Sequence, residues 1–140
     1  MIILDTNIVS EIMKPEPEPN VLKWYNSTGR ELIWQNAISV YEIQFGLSLM
    51  SDGRKKEALQ RSFNRMLREK FSQRIIAFDV NAAVAAAELN AAQKRSGRNC
   101  DIRDEQIAGI ALARGACLAT RNVKDFEFKG LKVINPFVNE

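Results

Sequence analysis

The sequence predicts an α/β fold built on a mainly parallel sheet, and three observations support this prediction. Short apolar runs alternate along the chain with longer segments of helical periodicity, which is typical of strands joined by crossover helices. The first run, residues 1–4, is entirely apolar, as expected of a strand that is buried on both faces. A length of 140 residues suits one domain with its own core, so we expect a single domain over residues 1–140.

The composition is that of a soluble globular protein. Hydrophobic residues make up 46% of the chain and charged residues 26%, while a net charge of +3 is too small to indicate a nucleic-acid-binding surface by itself. No apolar stretch approaches the length of a membrane span, and residues 1–4 are too short a run for a signal peptide. Cys100 and Cys117 form no paired motif, so we expect a reducing, cytoplasmic environment.

The first half of the chain alternates between helix and strand signals. After residues 1–4 we expect a short helix over 8–13, an extended linker over 15–19, a helix from Asn20 to about Gly29, a strand at 32–34, a helix from Ser39 to about Met50 and an amphipathic helix over 54–71. The linker carries prolines at alternate positions, which cannot continue a helix. Asparagine and serine favour helix starts, glycine favours helix ends, and the apolar residues of the last helix recur at helical spacing.

The second half of the chain predicts two more helices and three more strands. In order, these are a strand at 75–78, an alanine-rich helix from Val80 to about Arg95, a helix from about Arg103 to Arg114, a strand at 116–119 and a strand at about 131–134. Asp79 is the expected N-cap of the first helix, and Gly97 and Gly115 are the expected stops of the two helices. The sheet would therefore have about five strands.

Asp5 is the most informative residue of the chain, because it closes the apolar run 1–4. Open α/β sheets bind their ligands at the carboxyl ends of the strands, where Asp5 would lie. A carboxylate that ends a buried strand is costly unless it has a partner. Because the chain has no histidine and only two cysteines, a metal bound here would be a hard ion held by oxygen atoms, such as Mg²⁺ or Mn²⁺.

Three further acids are candidates to lie beside Asp5, since parallel strands end along one edge of a sheet. They are Glu42, Asp104 and Asp125. Each also has a purely structural explanation. Ser39 and Glu42 have the spacing of a capping box, and this spacing taken alone favours that interpretation. Asp104 would suit the positive end of any helix, with Asp101 as an alternative cap, and Asp125 could be an ordinary loop acid.

Taken in order, these acids and their neighbours resemble the motifs of the PIN domain. More narrowly, they resemble the VapC/FitB-type ribonuclease toxins of type II toxin–antitoxin modules. The segments that carry the resemblance are Leu4-Asp5-Thr6-Asn7, Ser39-x-x-Glu42, Asp104-x-x-Ile107-Ala108 and Leu118-Ala119-Thr120-Arg121-Asn122. The resemblance extends over the whole chain, and it implies a three-layer α/β/α fold around a central, mainly parallel sheet of about five strands.

The resemblance implies an endoribonuclease that hydrolyses RNA phosphodiester bonds with Mg²⁺, for which Mn²⁺ substitutes. It assigns catalytic roles to Asp5, Glu42 and Asp104, with Asp5 and Asp104 as the principal metal ligands. The fourth acidic position falls on Asp125, which we favour, or is taken by Asn122 as a polar assistant. Supporting hydrogen bonds are expected from Thr6, Asn7, Thr120 and Asn122.

Two sets of basic residues are candidates to bind RNA phosphates. Arg121 lies in the loop beside the proposed acids, which makes it the better single candidate. Arg61, Arg65 and Arg68 fall on one stripe of the 54–71 helix, but basic residues on a helix more often form a solvated outer face. Gly46 shares a helix face with Glu42, where we expect it to permit close packing.

The resemblance also implies protein partners. A cognate antitoxin would bind and inhibit the enzyme, the DNA operator would be contacted only through that antitoxin, and the toxin would form a homodimer. Transfer, ribosomal and messenger RNA all fit as the substrate, and the site suits either one or two metal ions.

Other functions fit the sequence less well. A haloacid-dehalogenase-type phosphatase needs a second aspartate two positions after the first, where this chain has Asn7. A dinucleotide-binding domain needs a glycine-rich G-x-G-x-x-G turn, and no strand is followed by one. The remaining alternative is a catalytically silent PIN-like module that acts by binding protein or RNA.

Overall fold

The computed structural model describes residues 1–138 of the 140-residue chain. In this part of the chain, five short strands form one sheet in the order β3-β2-β1-β4-β5, and every neighbouring pair is parallel. The strands are β1 (Ile2–Leu4), β2 (Ile33–Asn36), β3 (Ile75–Ile76), β4 (Cys117–Ala119) and β5 (Val133–Ile134). The predicted fold class is therefore confirmed. The edge strands β3 and β5 are shorter than predicted.

Helices cover both faces of the sheet. They are α1 (Thr6–Ile12), α2 (Pro19–Thr28), α3 (Ala37–Leu49), α4 (Arg54–Arg65), α5 (Val80–Arg95) and α6 (Ile102–Arg114). Leu4 belongs to the core formed with α1 to α4, whereas its neighbour Ile3 belongs to the core formed with α5 and α6. Both side chains are fully buried, which explains why this strand is apolar on both faces. Within residues 1–138, no helix is long and apolar enough to span a membrane.

The start of α2 differs from the prediction. The helix begins at Pro19, and its N-cap is Glu18, whose side chain accepts a hydrogen bond from the Val21 N–H at 3.2 Å. Asn20 is therefore inside the helix and is not its cap. Proline suits the first helical position because its missing N–H would have no partner there. The predicted end at Gly29 is confirmed.

The helix predicted over 54–71 changes its winding near its end. α4 stops at Arg65 and is followed by a π-helical turn, Met66–Lys70, in which the Phe71 N–H donates to the Met66 carbonyl at 3.1 Å. An i→i+5 bond brings residues five apart onto one side of the turn. Met66 and Phe71 are both buried, so the wider turn places both side chains in the core.

The order of the strands creates a switch point next to β1. The chain runs from β1 to β2 and β3 on one side, and then crosses to β4 and β5 on the other. Ligands of open α/β sheets bind where the strand order reverses, outside the carboxyl ends of the strands. Asp5 follows β1 and Thr120 follows β4, and the Asp5 N–H donates to the Ala119 carbonyl at 2.9 Å. The topology therefore places both residues at the expected ligand position.

Gly109 allows α5 and α6 to pack closely. A Cβ atom added at Gly109 would lie 2.6 Å from the Ala82 carbonyl oxygen and 2.7 Å from the Ala86 Cβ. The clash involves backbone and short side chains, which cannot move aside independently. The alanine-rich sequence of α5 and the glycine of α6 are therefore parts of one packing arrangement.

We expect Gly109→Ala to destabilise the protein by about 1–3 kcal/mol, because overpacking forces two helices apart. The measurement is urea unfolding monitored by circular dichroism. Gly46→Ala is the matched control, since a Cβ at Gly46 would meet no heavy atom within 4 Å. That change should stabilise α3 by up to about 1 kcal/mol. Equal midpoints for the Gly109→Ala and wild-type proteins would contradict the packing explanation.

Candidate functional site

Asp5 is a buried carboxylate held by three hydrogen-bond donors. Its Oδ1 accepts from the Thr6 N–H at 2.8 Å, so that Asp5 is the N-cap of α1. Its Oδ2 accepts from the Thr120 hydroxyl at 2.7 Å and from the Asn7 amide at 3.2 Å. Burial raises the pKa of Asp5, and repulsion from Glu42 and Asp125 adds to this effect, although the hydrogen bonds from Thr120 and Thr6 oppose it.

The segment after β4 is tied to the segment after β1. Thr120 is fully buried, and its hydroxyl accepts a hydrogen bond from the Asn122 N–H at 3.0 Å while donating to Asp5. The Asn7 side-chain oxygen accepts from the Arg121 N–H at 3.3 Å. Of the four predicted supporting residues, Asn7 and Thr120 bond to Asp5 through their side chains and Thr6 does so through its backbone N–H. Asn122 bonds to Thr120 through its backbone and does not contact Asp5 by a hydrogen bond.

Glu42 is held by α1 and α6. Its Oε1 accepts from the Thr6 hydroxyl at 3.0 Å, and its Oε2 lies 3.7 Å from Nη1 of Arg103. Thr6 also shares a 2.8 Å hydrogen bond with the Ser39 hydroxyl. Glu42 therefore reaches across to neighbouring elements and does not bond back to the start of its own helix.

The capping-box interpretation of Ser39 and Glu42 is wrong. α3 begins at Ala37, and its N-cap is Asn36, whose side-chain oxygen accepts from the Ser39 N–H at 2.8 Å. The Ser39 N–H is therefore already bonded. The Asn36 amide also donates to the Leu4 carbonyl at 2.9 Å, so this buried residue links the ends of β1 and β2.

Asp104 lies in the first turn of α6, but it does not cap the helix. Asp101 takes that role, because its side chain accepts from the N–H groups of Arg103 and Asp104 at 2.8 and 3.4 Å. The carboxylate of Asp104 is therefore left to face the site. Its pKa is raised to about 7, first by burial and then by repulsion from Asp5 and Asp101.

Asp125 is exposed and lies in a short 3₁₀ helix, Val123–Phe126, which is anchored by the buried Phe126. It borders a cavity of about 800 Å³ together with Glu42 and Asp104. We call this cavity the acidic groove; the carboxylates that line it are Glu42, Asp101, Asp104, Asp125 and Glu127. Besides burial, which is the largest cause, Asp5, Asp125 and Glu42 each raise the pKa of Asp104, so the four predicted acids lie within electrostatic range of one another. Asp5 itself does not line the groove.

Arg121 packs on Phe137 and forms no ion pair with these acids within residues 1–138. Its guanidinium carbon lies 4.6 Å from the centroid of the Phe137 ring. Two residues beside the site were missed at the sequence level. Asn36 follows a strand and precedes a helix, which is a recognisable cap position, whereas nothing in the sequence distinguishes Arg103.

The residues of the site suit a hard divalent cation. All donors are oxygen atoms, and a cation would relieve the repulsion that raises the pKa values of Asp5 and Asp104. Within residues 1–138, no three carboxylates form a closed ligand cluster. Mg²⁺ tolerates such an open arrangement, because it is commonly bound by one or two carboxylates and keeps several of its waters.

Comparison with known proteins identifies the family. A family model described as the PIN domain matches residues 2–129. The plasmid stability protein StbB of Pseudomonas syringae pv. tomato is 38% identical over 137 residues, which are 98% of this chain and 99% of the relative. The VapC ribonuclease Y4jK of Sinorhizobium fredii is 37% identical over 137 residues, which are 98% of each protein.

A solved structure agrees with this assignment. In the structure of FitAB bound to the IR36 DNA fragment, one chain superimposes with a TM-score of 0.90 at 32% identity, covering 100% of this chain and 98% of that chain. The chain therefore belongs to the PIN-domain family, and within that family to the VapC/FitB-type toxins of toxin–antitoxin modules.

Proposed function

We propose that this protein is a divalent-metal-dependent endoribonuclease toxin that a cognate antitoxin inhibits. The observation that carries the proposal is the position of Asp5, buried at the switch point and close enough to Asp104 to raise its pKa. Such repulsion between carboxylates favours the binding of a cation. The ribonuclease named among the relatives, and the FitAB complex with DNA, support an RNA substrate and an antitoxin partner.

The proposed roles follow from the contacts of each residue. Asp5 and Asp104 would hold Mg²⁺, with Mn²⁺ as a substitute, and the bound ion would neutralise charge on the phosphate and activate a water. Glu42 and Asp125 would orient the attacking water or share a second ion. Thr120 and Thr6 fix the orientation of Asp5, and Thr6 also fixes that of Glu42.

We expect Asp5→Asn and Asp104→Asn to reduce RNA cleavage by at least about 100-fold, because even residues that only support metal ligands contribute about 10- to 100-fold. The assay uses antitoxin-free protein with transfer, ribosomal and messenger RNA in Mg²⁺, in Mn²⁺ and in chelator. Asp52→Asn is the matched control, since this aspartate is fully exposed and pairs only with Lys56 in the described chain.

Two results would count against the nuclease proposal. Cleavage that survives in both folded variants would mean that the wrong site has been assigned. No cleavage by the wild type, together with no binding of Mn²⁺ in calorimetry, would favour a silent PIN-like module that acts by binding.

Metal-free protein should lose stability as the pH rises. The pKa of Asp104 is raised from 3.8 to about 7 in the folded state, so the folded protein holds this proton more tightly than the unfolded chain. The proton on Asp104 therefore stabilises the folded protein fully below pH 3.8, the pKa in the unfolded chain. This stabilisation is lost as the pH rises through about 7, the pKa in the folded protein. The chain has no histidine, so few other side chains titrate near neutral pH.

The measurement is thermal unfolding in chelator between about pH 5 and pH 8. Asp104→Asn should flatten the pH dependence and raise the melting temperature of the metal-free protein at the upper end of this range. Saturating Mn²⁺ should stabilise the wild type most at high pH, where the carboxylates are ionised. A wild-type profile as flat as that of the Asp104→Asn variant would show that Asp104 is not the titrating group.

An apolar groove beside the acids is a suitable site for the antitoxin. Thr6 and Glu42 are among the residues that line this cavity of about 400 Å³. The residues that supply its apolar walls are Met13, Ile43, Leu47, Met50 and Leu59. Gly46 also lines the groove, and since nothing lies within 4 Å of its would-be Cβ, the expectation that it permits close packing within the chain is wrong. We propose that an apolar antitoxin segment occupies this groove and directs a basic residue at Glu42.

Gly46→Phe should fill the apolar groove and weaken antitoxin binding by at least about tenfold, because the phenyl ring would occupy the space that the antitoxin segment needs. Gly46→Ala is the matched control and should bind normally. The test is growth of cells that co-express each toxin variant with the antitoxin of its module, followed by size-exclusion chromatography of the complex. Full neutralisation of Gly46→Phe would place the antitoxin elsewhere.

The other implied features stay predictions. A homodimer would need to cover the exposed apolar stripe of α3, which consists of Tyr41, Phe45 and Leu49. Indirect contact with operator DNA would come through the antitoxin, as the FitAB structure with DNA suggests. The single domain and the cytoplasmic location also remain predictions.

A further inference from the structure

The basic side chains of the protein divide into those that face the acidic groove and those that do not. The cationic residues that line the groove are Arg98, Arg103 and Lys124. None of the groove-lining residues found within residues 1–138 comes from α4. Arg61 borders a different and smaller cavity beside Asp52, and Arg121 lies over Phe137. The candidate phosphate contacts suggested by the sequence therefore lie outside the groove that holds the acids.

Arg103 already interacts with other side chains of the protein. It lies 3.7 Å from Glu42, and its guanidinium carbon is 5.4 Å from the Tyr41 ring centroid and 5.8 Å from that of Phe45. The two rings stack on each other with a centroid distance of 6.0 Å and an interplanar angle of 10°. Arg103 thus serves as a fixed counter-charge to Glu42 and has less freedom to bind an additional anion.

Arg98 and Lys124 are in a different situation. Both are exposed, and neither forms an ion pair within the described residues. Arg98 follows the end of α5, where its N–H donates to the Gln93 carbonyl at 2.8 Å and fixes the backbone of the turn. Lys124 lies in the 3₁₀ helix next to Asp125. The backbones of Arg98 and Lys124 are held in place, and their charged groups are free of ion pairs within the described residues, so they can bind an anion.

The acidic groove continues past Arg98 into a neighbouring cavity of about 550 Å³. The two cavities share four lining residues, which are Gln93, Arg98, Glu127 and Phe128. We call these two adjoining cavities the trough; Lys129 lines the second of them. A strand of RNA that enters the acids through this trough would pass Arg98 before it reaches Asp104.

RNA is a polyanion, so it needs positively charged side chains in order to bind beside such an acidic site. Five carboxylates line the groove with only three cationic side chains, so its local charge repels RNA, and a bound metal ion would compensate only at the phosphate that is cleaved. The flanking phosphates require separate positive charges. Resting on the proposed ribonuclease function, we propose that Arg98 and Lys124 bind the phosphates that flank the cleaved bond, so that single-stranded RNA runs along this trough and not along α4.

The test compares variants that remove the positive charge and keep a polar side chain. Arg98→Gln and Lys124→Gln are measured against Arg61→Gln and Arg65→Gln, which remove equivalent charges from α4. Binding is measured by fluorescence anisotropy with a labelled single-stranded RNA of about 12 nucleotides, across a range of salt concentrations. The binding assay uses an Asp5→Asn background to prevent cleavage, and cleavage kinetics use the otherwise wild-type protein.

We expect each groove variant to weaken RNA binding by about threefold at physiological salt, and the double variant by about tenfold. The slope of log affinity against log salt should fall in magnitude by about 0.7 for each charge removed. In the cleavage assay KM should rise while kcat stays unchanged, which is the signature of a contact made equally in the ground and transition states. The α4 variants should match the wild type in both assays.

Three outcomes would overturn the assignment. Groove variants that bind RNA like the wild type would place the strand elsewhere, and loss of affinity in the α4 variants alone would place it along that helix. In both cases the wild type would still cleave RNA, so the proposed function would stand. A wild-type protein that neither cleaves nor binds RNA would overturn the function and this inference together.

Discussion

The burial of the Asp5 carboxylate is the constraint on which the site depends. Transfer of a charged group from water into the protein is unfavourable unless hydrogen bonds replace its hydration. Those bonds come from Thr6 and Asn7 at the end of β1 and from Thr120 at the end of β4. The same contacts link β1 and β4, the neighbouring strands at the switch point of the sheet. The hydrogen bonds that position Asp5 in the site are therefore also bonds that stabilise this part of the sheet.

The second constraint is the repulsion among the acids that gather around Asp5. Burial raises the pKa of Asp104 most, and Asp5, Asp125 and Glu42 each raise it further. Part of the folding free energy therefore maintains an arrangement of carboxylates that is unfavourable without a cation. Arg103 reduces this repulsion at Glu42 only, and its contacts with the stacked Tyr41 and Phe45 rings hold it there. The remaining acids keep an environment that favours a divalent ion. The features that destabilise the metal-free protein are thus the ones that suit it to binding a cation.

Glu42 connects the two surfaces that we propose for RNA and for the antitoxin. It lines both the acidic groove and the apolar groove between α1 and α3. A partner bound in the apolar groove would reach the acids from the Thr6 side. RNA bound along the trough would reach them from the Arg98 side. Inhibitor and substrate can therefore compete at the acids while they use separate surfaces for most of their contacts.

The sequence by itself determined the fold class and the position of Asp5 at the end of a buried strand. Apolar runs such as residues 1–4 report burial directly, and Asp5 is placed at a strand end by its position next to such a run. Glycines with left-handed φ angles, such as Gly115, likewise mark a helix end by a local steric rule. These features depend on neighbouring residues in the chain, so they are visible without the fold.

Tertiary structure alone decided the partners of these residues. The Ser39 and Glu42 spacing is compatible with a cap or with a bond to another helix, and only the proximity of Thr6 on α1 selects the second. The π turn after α4 reflects burial of Met66 and Phe71 in a core made by distant segments. The sequence favoured Arg121 over Arg103 as a residue beside the acids, yet Arg103 meets Glu42 and Arg121 meets Phe137. Such choices depend on contacts between residues far apart in the chain, and no local pattern encodes them.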